Sequence, residues 1–297
     1  MKLTAHIRIE TDRETVWKKS QDPDEHVQWD LRFTDIDYLP KEAPDDPQRF
    51  RYATRLGFGL AVNGWGESVG APGKQTSALK FGSNDSKSLI RTGAGSWTYK
   101  EEADQVRFST VYDYQVRYGL LGRLIDLLFF RPLMLWAVRW SFDRLKIWIE
   151  RGTHPRVSMR IWLTKLVARV ALALVWIHEG IVPKIAAVRA SELELVANSG
   201  FVIGTPRTTL LLLGLIEIAA GLWLLSGKAE RTAALLLSLA MVAIAALVLF
   251  TEPAAWTDPF GGISKNLGLL ACGATVWILS PLCPNAQNAN PKGSSNR

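Results

Sequence analysis

Residues 208–227 read TTLLLLGLIEIAAGLWLLSG, an apolar segment of 20 residues with one charged side chain, Glu217. A helix of this length rises about 30 Å, which is the thickness of the hydrocarbon core of a bilayer. Three further runs of similar length and composition lie at residues 162–184, 232–250 and 263–282. The sequence therefore predicts an all-α membrane domain of four spanning helices over residues 161–283.

Ionised side chains inside such segments are costly unless a partner or a water-filled cavity compensates them. Helical rise places Arg169 nearly level with Glu217, and Glu179 nearly level with Lys265. We expect Glu217 to lie in the interior of the bundle, with Arg169 or Lys265 as its counter-charge. A structural ion-pair network and a ligand, quinone or proton site both remain open. The candidate intramembrane polar cluster is Arg169, Glu179, Glu217 and Lys265.

Residues 1–151 have the pattern of a soluble, strand-rich domain. Apolar and polar residues alternate from Leu3 to Ile9, as in a half-buried strand. Six more strand-like runs follow, separated by Pro, Gly, Asp and Ser residues that favour turns. Residues 119–151 then read as one long helix that Pro132 interrupts. The strand-like runs are residues 31–39, 49–60, 63–69, 76–82, 88–99 and 105–118.

This order of elements resembles the START-like (SRPBCC, polyketide cyclase-like) or helix-grip superfamily. The segments GRLIDLLFFRPLM (122–134) and FDRLK (142–146) are similar to its closing helix, and Val16, Trp17 and Trp29 to its first helix pair. The resemblance covers residues 1–151. It implies an α+β domain in which a curved antiparallel sheet grips the long C-terminal helix around a cavity for a lipid, isoprenoid or aromatic molecule. The aromatic candidates for the cavity wall are Trp65, Trp97, Phe108 and Tyr112.

The membrane half resembles the DoxX-like family of four-helix membrane proteins over residues 159–282. The likeness rests on WIHEGIVPK (176–184), GLIEIAAG (214–221) and SKN (264–266). That family takes its name from a subunit of a thiosulfate:quinone oxidoreductase. The resemblance therefore implies an alternative function as a subunit of a membrane oxidoreductase complex, with a membrane redox partner. The chain has no Cys-x-x-Cys motif, which argues against thiol redox chemistry.

No catalytic constellation, cofactor site or metal site is predicted. His6 alternates outward with charged neighbours, and His26 stands beside Glu25 in a polar helical segment, so we expect both to be solvated. Cys272 and Cys283 have no histidine near them in the sequence, so they indicate neither a metal site nor a disulfide framework.

Charge predicts the topology of the chain in the membrane. The net charge is +7, and basic residues crowd into 117–169, immediately before the first span. Such a cluster favours the cytoplasmic side and contact with anionic lipid rather than nucleic acid, since no nucleic-acid-binding motif accompanies it. We expect both termini in the cytoplasm, a linker at residues 152–160 and a disordered tail at 284–297.

The leading hypothesis is a multi-pass protein of the inner (plasma) membrane with a cytoplasmic domain that binds a lipid, isoprenoid or quinone-like molecule. A structural membrane adaptor is the other alternative to the oxidoreductase subunit. The helix at 119–151 carries apolar residues on more than one side, with Arg123, Arg131 and Arg139 among them. This surplus indicates a helix that lies partly in the membrane interface.

Overall fold

The computed structural model describes residues 2–70, 75–251, 253–257 and 264–289. They form two compact units. The first holds the described residues up to Ser158 together with those from Pro284 onward, and the second is Met159–Cys283. The predicted linker is shorter than expected, since only Gly152, Thr153 and His154 lie between the two helices that flank it.

A seven-stranded antiparallel sheet in the order β1-β7-β6-β5-β4-β3-β2 forms the body of the first unit. Helices α1 (Arg13–Gln21) and α2 (Pro23–Trp29) connect β1 to β2. After β7 come α3 (Gly119–Ile125), a π-helical segment (Asp126–Phe130) and α4 (Arg131–Arg151). The strands are β1 (Lys2–Ile9), β2 (Asp35–Tyr38), β3 (Gln48–Gly57), β4 (Leu60–Val69), β5 (Thr76–Gly82), β6 (Ile90–Glu102) and β7 (Gln105–Val116).

The core of the first unit is aromatic. In β7, Val106, Phe108 and the alternate residues that follow are buried, because that face of the strand meets α4. The rings of Phe108 and Phe142 lie 4.6 Å apart between centroids. Trp29 is fully buried beside both. Each such side chain contributes about 2–3 kcal/mol through burial alone. The predicted α+β fold of a sheet with a long C-terminal helix is confirmed.

Four long apolar helices make up most of the described part of the second unit, as predicted. Each is long and apolar enough to cross a bilayer: Pro155–Ala186, Pro206–Leu225, Glu230–Thr251 and Lys265–Leu282. The first consists of α5 (Pro155–Ile181) and a second π-helical segment (Val182–Ala186) that contains Pro183. The others are α7 (Pro206–Leu225), α8 (Glu230–Thr251) and α9 (Lys265–Leu279), and the short α6 (Ala190–Asn198) precedes α7.

The start of the predicted tail is ordered against the first unit. The Asn285 backbone N–H and the Asn288 side-chain amide donate to one carboxylate oxygen of Asp143 on α4, at 2.8 and 3.0 Å. Ala289 is buried in the same core. Residues 284–289 therefore depart from the expectation of disorder, because a buried carboxylate binds them. Residues 290–297 lie outside the described part of the chain.

Candidate functional site

Four aromatic rings lie over glycines on the face of the sheet that is turned toward the core. Gly64 and Gly66 of β4 pair with Tyr52 and Phe50 of β3, and a Cβ at either glycine would collide with the ring of its partner. On the neighbouring strands the same relation joins Gly93 to Phe81 and Gly95 to Tyr112, where a Cβ would lie 2.5 Å from the nearest ring atom. Glycine therefore lets the rings lie close against the sheet, where they form an aromatic floor.

A small cavity opens above this floor, between the sheet and helices α1 and α2. Its volume is about 40 Å³, enough for a water molecule and well below the 300 Å³ or more of a small-molecule site. Polar and apolar groups both reach it. The wall is lined by Ser20, Gln21, His26, Phe33, Ile36, Tyr38, Phe50, Ser68, Ser77, Leu79, Trp97 and Tyr112.

A buried polar cluster reaches the cavity through one of its members, His26. His26 Nε2 lies 3.1 Å from Asp30 Oδ2. The same carboxylate accepts two hydrogen bonds from the guanidinium of Arg32, at 2.9 Å from Nε and 2.6 Å from Nη2. Asp30 is buried and its charge is therefore balanced within the protein rather than by solvent.

Burial lowers the pKa of His26, so the imidazole is neutral at pH 7. Burial alone would raise the pKa of Asp30, but the Arg32 charge and the hydrogen bonds from His26 and Arg32 outweigh it and hold that pKa well below its ordinary value. Its hydrogen bond to Asp30 assigns the proton to His26 Nε2. Nδ1 then remains an acceptor with no protein partner in the described part of the chain.

The expectation that His26 is solvated was wrong. Its ring lies 5.1 Å from the rings of both Trp29 and Trp97, measured between centroids. Helix α2 has only seven residues, so it is too short for an apolar period to show which side faces the core. The spacing of His26 and Asp30, four residues apart, was the available signal, because it places both on one helical face.

Two of the four predicted wall residues lie at the cavity and two do not. Trp97 and Tyr112 line it, and the indole N–H of Trp97 donates to the Tyr112 hydroxyl at 2.9 Å. Phe108 is fully buried in the core beneath α4. Trp65 lies on the opposite face of β4 from Gly64 and Gly66, because successive side chains of a strand point to opposite faces.

One side chain of the cavity wall, Tyr38, comes from an edge strand. Tyr38 ends β2, which is four residues long and pairs only with β3. Its hydroxyl donates to the Gln21 carbonyl at 2.7 Å and so bridges β2 to α1. Burial raises the pKa of Tyr38 to about 12, so the hydroxyl keeps its proton.

In the membrane helices, Glu217 is only 8% exposed and lies 2.9 Å from Lys184 Nζ. The expected counter-charges, Arg169 and Lys265, were wrong. Arg169 Nη1 instead lies 2.6 Å from Glu230, which also binds Lys165 and accepts a hydrogen bond from Ser280 at 2.8 Å. Close contacts at glycines fix the register of α5 against α7, and this register keeps Arg169 away from Glu217.

Helices α5 and α7 meet through Gly180 and Gly214. A Cβ at Gly214 would lie 2.7 Å from the Gly180 carbonyl oxygen, and one at Gly180 would lie 2.5 Å from that of Gly214. One Cβ at Gly221 would lie 2.8 Å from the Ala173 carbonyl oxygen. This antiparallel register sets Arg169 level with the end of α7, about 12 Å beyond Glu217 at 1.5 Å per residue. Close backbone approach through small residues is typical of membrane helices.

The other two predicted members of the intramembrane cluster stand apart from it. Glu179 is exposed and lies 3.7 Å from His178 Nδ1, and Lys265 is exposed at the start of α9. The described residues contain no group of three or more His, Cys, Asp or Glu that could hold a metal ion. Among the described residues of this half, the ion pairs that are mostly buried therefore lie in two separate clusters, one at Glu217 and one at Glu230.

Comparison with known proteins agrees with the membrane half. Residues 173–273 match the model of the DoxX-like family. The uncharacterized membrane protein YndG of Bacillus subtilis is 42% identical over 206 residues, which are 68% of this chain and 75% of that protein.

Solved structures resemble the first unit in fold alone. TTHA0849 from Thermus thermophilus covers 52% of this chain and 99% of its own, at 16% identity and a TM-score of 0.43. A START superfamily protein from Mycobacterium smegmatis covers 51% of this chain and 99% of its own, at 13% identity and a TM-score of 0.41. The chain belongs to the family of membrane proteins that includes YndG, and it matches the DoxX-like family over residues 173–273.

Proposed function

We propose that the first unit is a binding module, on the cytoplasmic side of the inner (plasma) membrane, for an apolar molecule that carries a polar group. The observation that carries this proposal is the aromatic floor beside the cluster of His26, Asp30 and Arg32. Flat rings and aliphatic side chains suit a lipid, isoprenoid or quinone-like body, and the His26 Nδ1 acceptor suits a hydroxyl on its end.

The cavity must widen before such a molecule fits, since it now holds about 40 Å³. Tyr38 is the group whose movement would widen it, because it lies on a short edge strand held to α1 by a single hydrogen bond. A hydrogen bond of this kind contributes only about 1 kcal/mol, so a ligand of micromolar affinity can displace it. The cytoplasmic placement rests on the excess of Lys and Arg between residues 117 and 169.

A membrane-anchored adaptor without a ligand is the second candidate. The small size of the cavity favours the adaptor, because a domain whose interior is filled by its own side chains needs no ligand to be stable. The two candidates differ in one requirement: a binding module needs the space above the aromatic floor to be accessible to a ligand, and an adaptor does not. Neighbouring positions on β4 separate them, since Ser68 lines the cavity and Glu67 points to the opposite face.

The test is mass spectrometry of small molecules that co-purify with the full chain in detergent, followed by titration of the delipidated protein with fatty acids, isoprenoid alcohols and quinones. Ser68→Phe should lower the affinity for the retained class at least tenfold, and Glu67→Phe should leave it unchanged. Equal affinities in both variants, or a protein that retains and binds no class of molecule, would refute the binding module and leave the adaptor.

A further inference from the structure

The hairpin tip between β3 and β4 exposes three large apolar side chains, Leu56, Phe58 and Leu60. Phe58 reaches 105% of its reference exposure and has a φ of +50°, between Gly57 at +88° and Gly59 at +74°. A left-handed backbone is uncommon for an aromatic residue, and this ring makes no packing contact that compensates for it. The tip thus presents a strained, apolar residue to its surroundings.

The segment from Gly119 to Phe130 exposes apolar residues in the same way. Leu120 is 82% exposed and Phe129 is 69% exposed, whereas Asp126 between them is 0% exposed. Asp126 accepts a hydrogen bond from the Tyr114 hydroxyl at 2.7 Å and pairs with Arg131 at 2.7 Å. The buried carboxylate therefore anchors the segment, and its apolar residues face outward. In a soluble domain the apolar side chains are usually buried and the carboxylates exposed.

Both segments lie at the same end of the sheet. The tip joins the end of β3 to the start of β4, and the second segment follows the end of β7, which antiparallel pairing places at that end too. Hydrogen bonds connect the intervening loops: Ser83 Oγ donates to the Asn63 carbonyl at 2.5 Å, Arg117 to the Ser83 carbonyl and the Tyr118 hydroxyl to the Ser86 carbonyl. We call residues 56–60 and 119–129 the apolar end.

The chain around the apolar end is basic. Residues 54–61, 83–91 and 115–125 contain five basic residues and one acidic residue, Asp85. Lys87 lies 3.4 Å from Asp85, which leaves the arginines in excess. Anionic headgroups attract such charges at about 1 kcal/mol each, whereas the same charges on a second copy would repel it. Charge therefore favours a bilayer over self-association as the occupant.

We propose that the apolar end docks into the surface of the bilayer, with Phe58 and the leucines of residues 120–128 in the headgroup and upper acyl region. The arginines then face the phosphates, as in amphipathic segments that lie in the interface. The same chain carries helices long and apolar enough to cross a bilayer. The docking needs no ligand in the cavity, so its test is independent of the proposed binding function.

The experiment places one fluorescent label on the full chain after Cys272 and Cys283 are replaced by serine. The label, nitrobenzoxadiazole, is attached at Phe58→Cys or at Leu124→Cys. The matched control is Asp45→Cys, which is exposed in the loop between β2 and β3 at the other end of the sheet. Each variant is reconstituted as one copy per nanodisc, in phosphatidylcholine with and without 30% phosphatidylglycerol.

Doxyl-labelled phosphatidylcholine should quench the labels at positions 58 and 124 at least twofold more than the label at 45. The quenching should weaken when phosphatidylglycerol is omitted or when salt is raised, because screening shortens the reach of the arginines. Labels at 58 and 124 that are as water-exposed as the control would overturn the docking. So would quenching that appears only with two copies per disc, and equal quenching with and without phosphatidylglycerol would overturn the role of charge.

Discussion

Removing the charge of Asp30 should destabilise the first unit more than any exposed charge change can. In Asp30→Asn, the Arg32 guanidinium loses a carboxylate that now accepts hydrogen bonds at 2.6 and 2.9 Å, and it stays buried. Breaking a buried ion pair from one side costs about 3–5 kcal/mol, because the remaining charge is uncompensated. Opening of the unit should therefore become about two to four orders of magnitude more frequent.

Native-state hydrogen exchange of the full chain in detergent measures how often the first unit opens. The exchange is followed by mass spectrometry on peptides from β7. Central strands such as β7 exchange only when the whole unit opens, so their exchange free energy reports its stability. Asp45→Asn is the matched control, since its carboxylate is exposed, and it should change the exchange rate less than twofold. The double variant Asp30→Asn/Arg32→Met should cost clearly less than the two single changes combined.

Two outcomes would refute this reasoning. One is an Asp30→Asn variant whose β7 peptides exchange less than tenfold faster than those of the wild type. The other is strict additivity of the Asp30 and Arg32 changes, which would mean that the two side chains do not stabilise one another in solution.

Three further changes test other parts of the structure. Gly214→Leu should lower the melting temperature of the membrane helices in detergent, since overpacking costs about 1–3 kcal/mol, whereas Gly268→Leu, where a Cβ meets nothing within 4 Å, should not. Lys184→Met and Glu217→Gln should each lower that melting temperature, because each costs about 1–2 kcal/mol of folding free energy. The double variant should recover part of this loss of stability. A double variant whose loss equals the sum of the two single losses would contradict the pairing. Lowering the pH from 7.5 to 5.5 should lower the exchange free energy of β7, taken after correction for the slower intrinsic exchange at the lower pH. The reason is that the unfolded chain takes up a proton near pH 6.5 that folded His26, with its lowered pKa, does not. His26→Gln should remove this part of the pH dependence, which is at most about 1.4 kcal/mol per pH unit, and an unchanged pH dependence in that variant would contradict the role of His26.

Much of the architecture could be predicted from patterns that depend on one buried face. The alternation of β7 is visible because Phe108 and Tyr112 face the core while Asp113 and Gln115 do not. Likewise, the 20-residue segment at 208–227, in which Glu217 is the single charged residue, is typical of a membrane span and not of a helix in a soluble protein. In both cases the environment of a whole segment, a half-buried sheet face or a bilayer, determines which residue types occur along it, so the pattern can be read from the segment alone.

Pairings between segments could not be predicted, because they depend on register. Counting from the start of the apolar run at residue 162 misplaced Arg169, since α5 begins at Pro155 and continues through a π-helical segment to Ala186. Lys184 looked like the polar end of a span, yet the approach of Gly180 to Gly214 brings it to Glu217. Such contacts follow from where two backbones touch, which single-segment patterns do not contain.

The glycines under the aromatic floor make the volume above it adjustable by single methyl groups. At Gly66, the three atoms nearest to an added Cβ all belong to the ring of Phe50, which lines the cavity. An alanine there would have to lift that ring by about 1 Å to restore van der Waals contact. The sheet, its hydrogen bonds and the wall residues could all stay the same while the chamber became shallower. If the first unit binds an apolar molecule as proposed, relatives that differ at Gly64 or Gly66 would hold molecules of different thickness, and the preference for ligand size would be set by residues that touch no ligand.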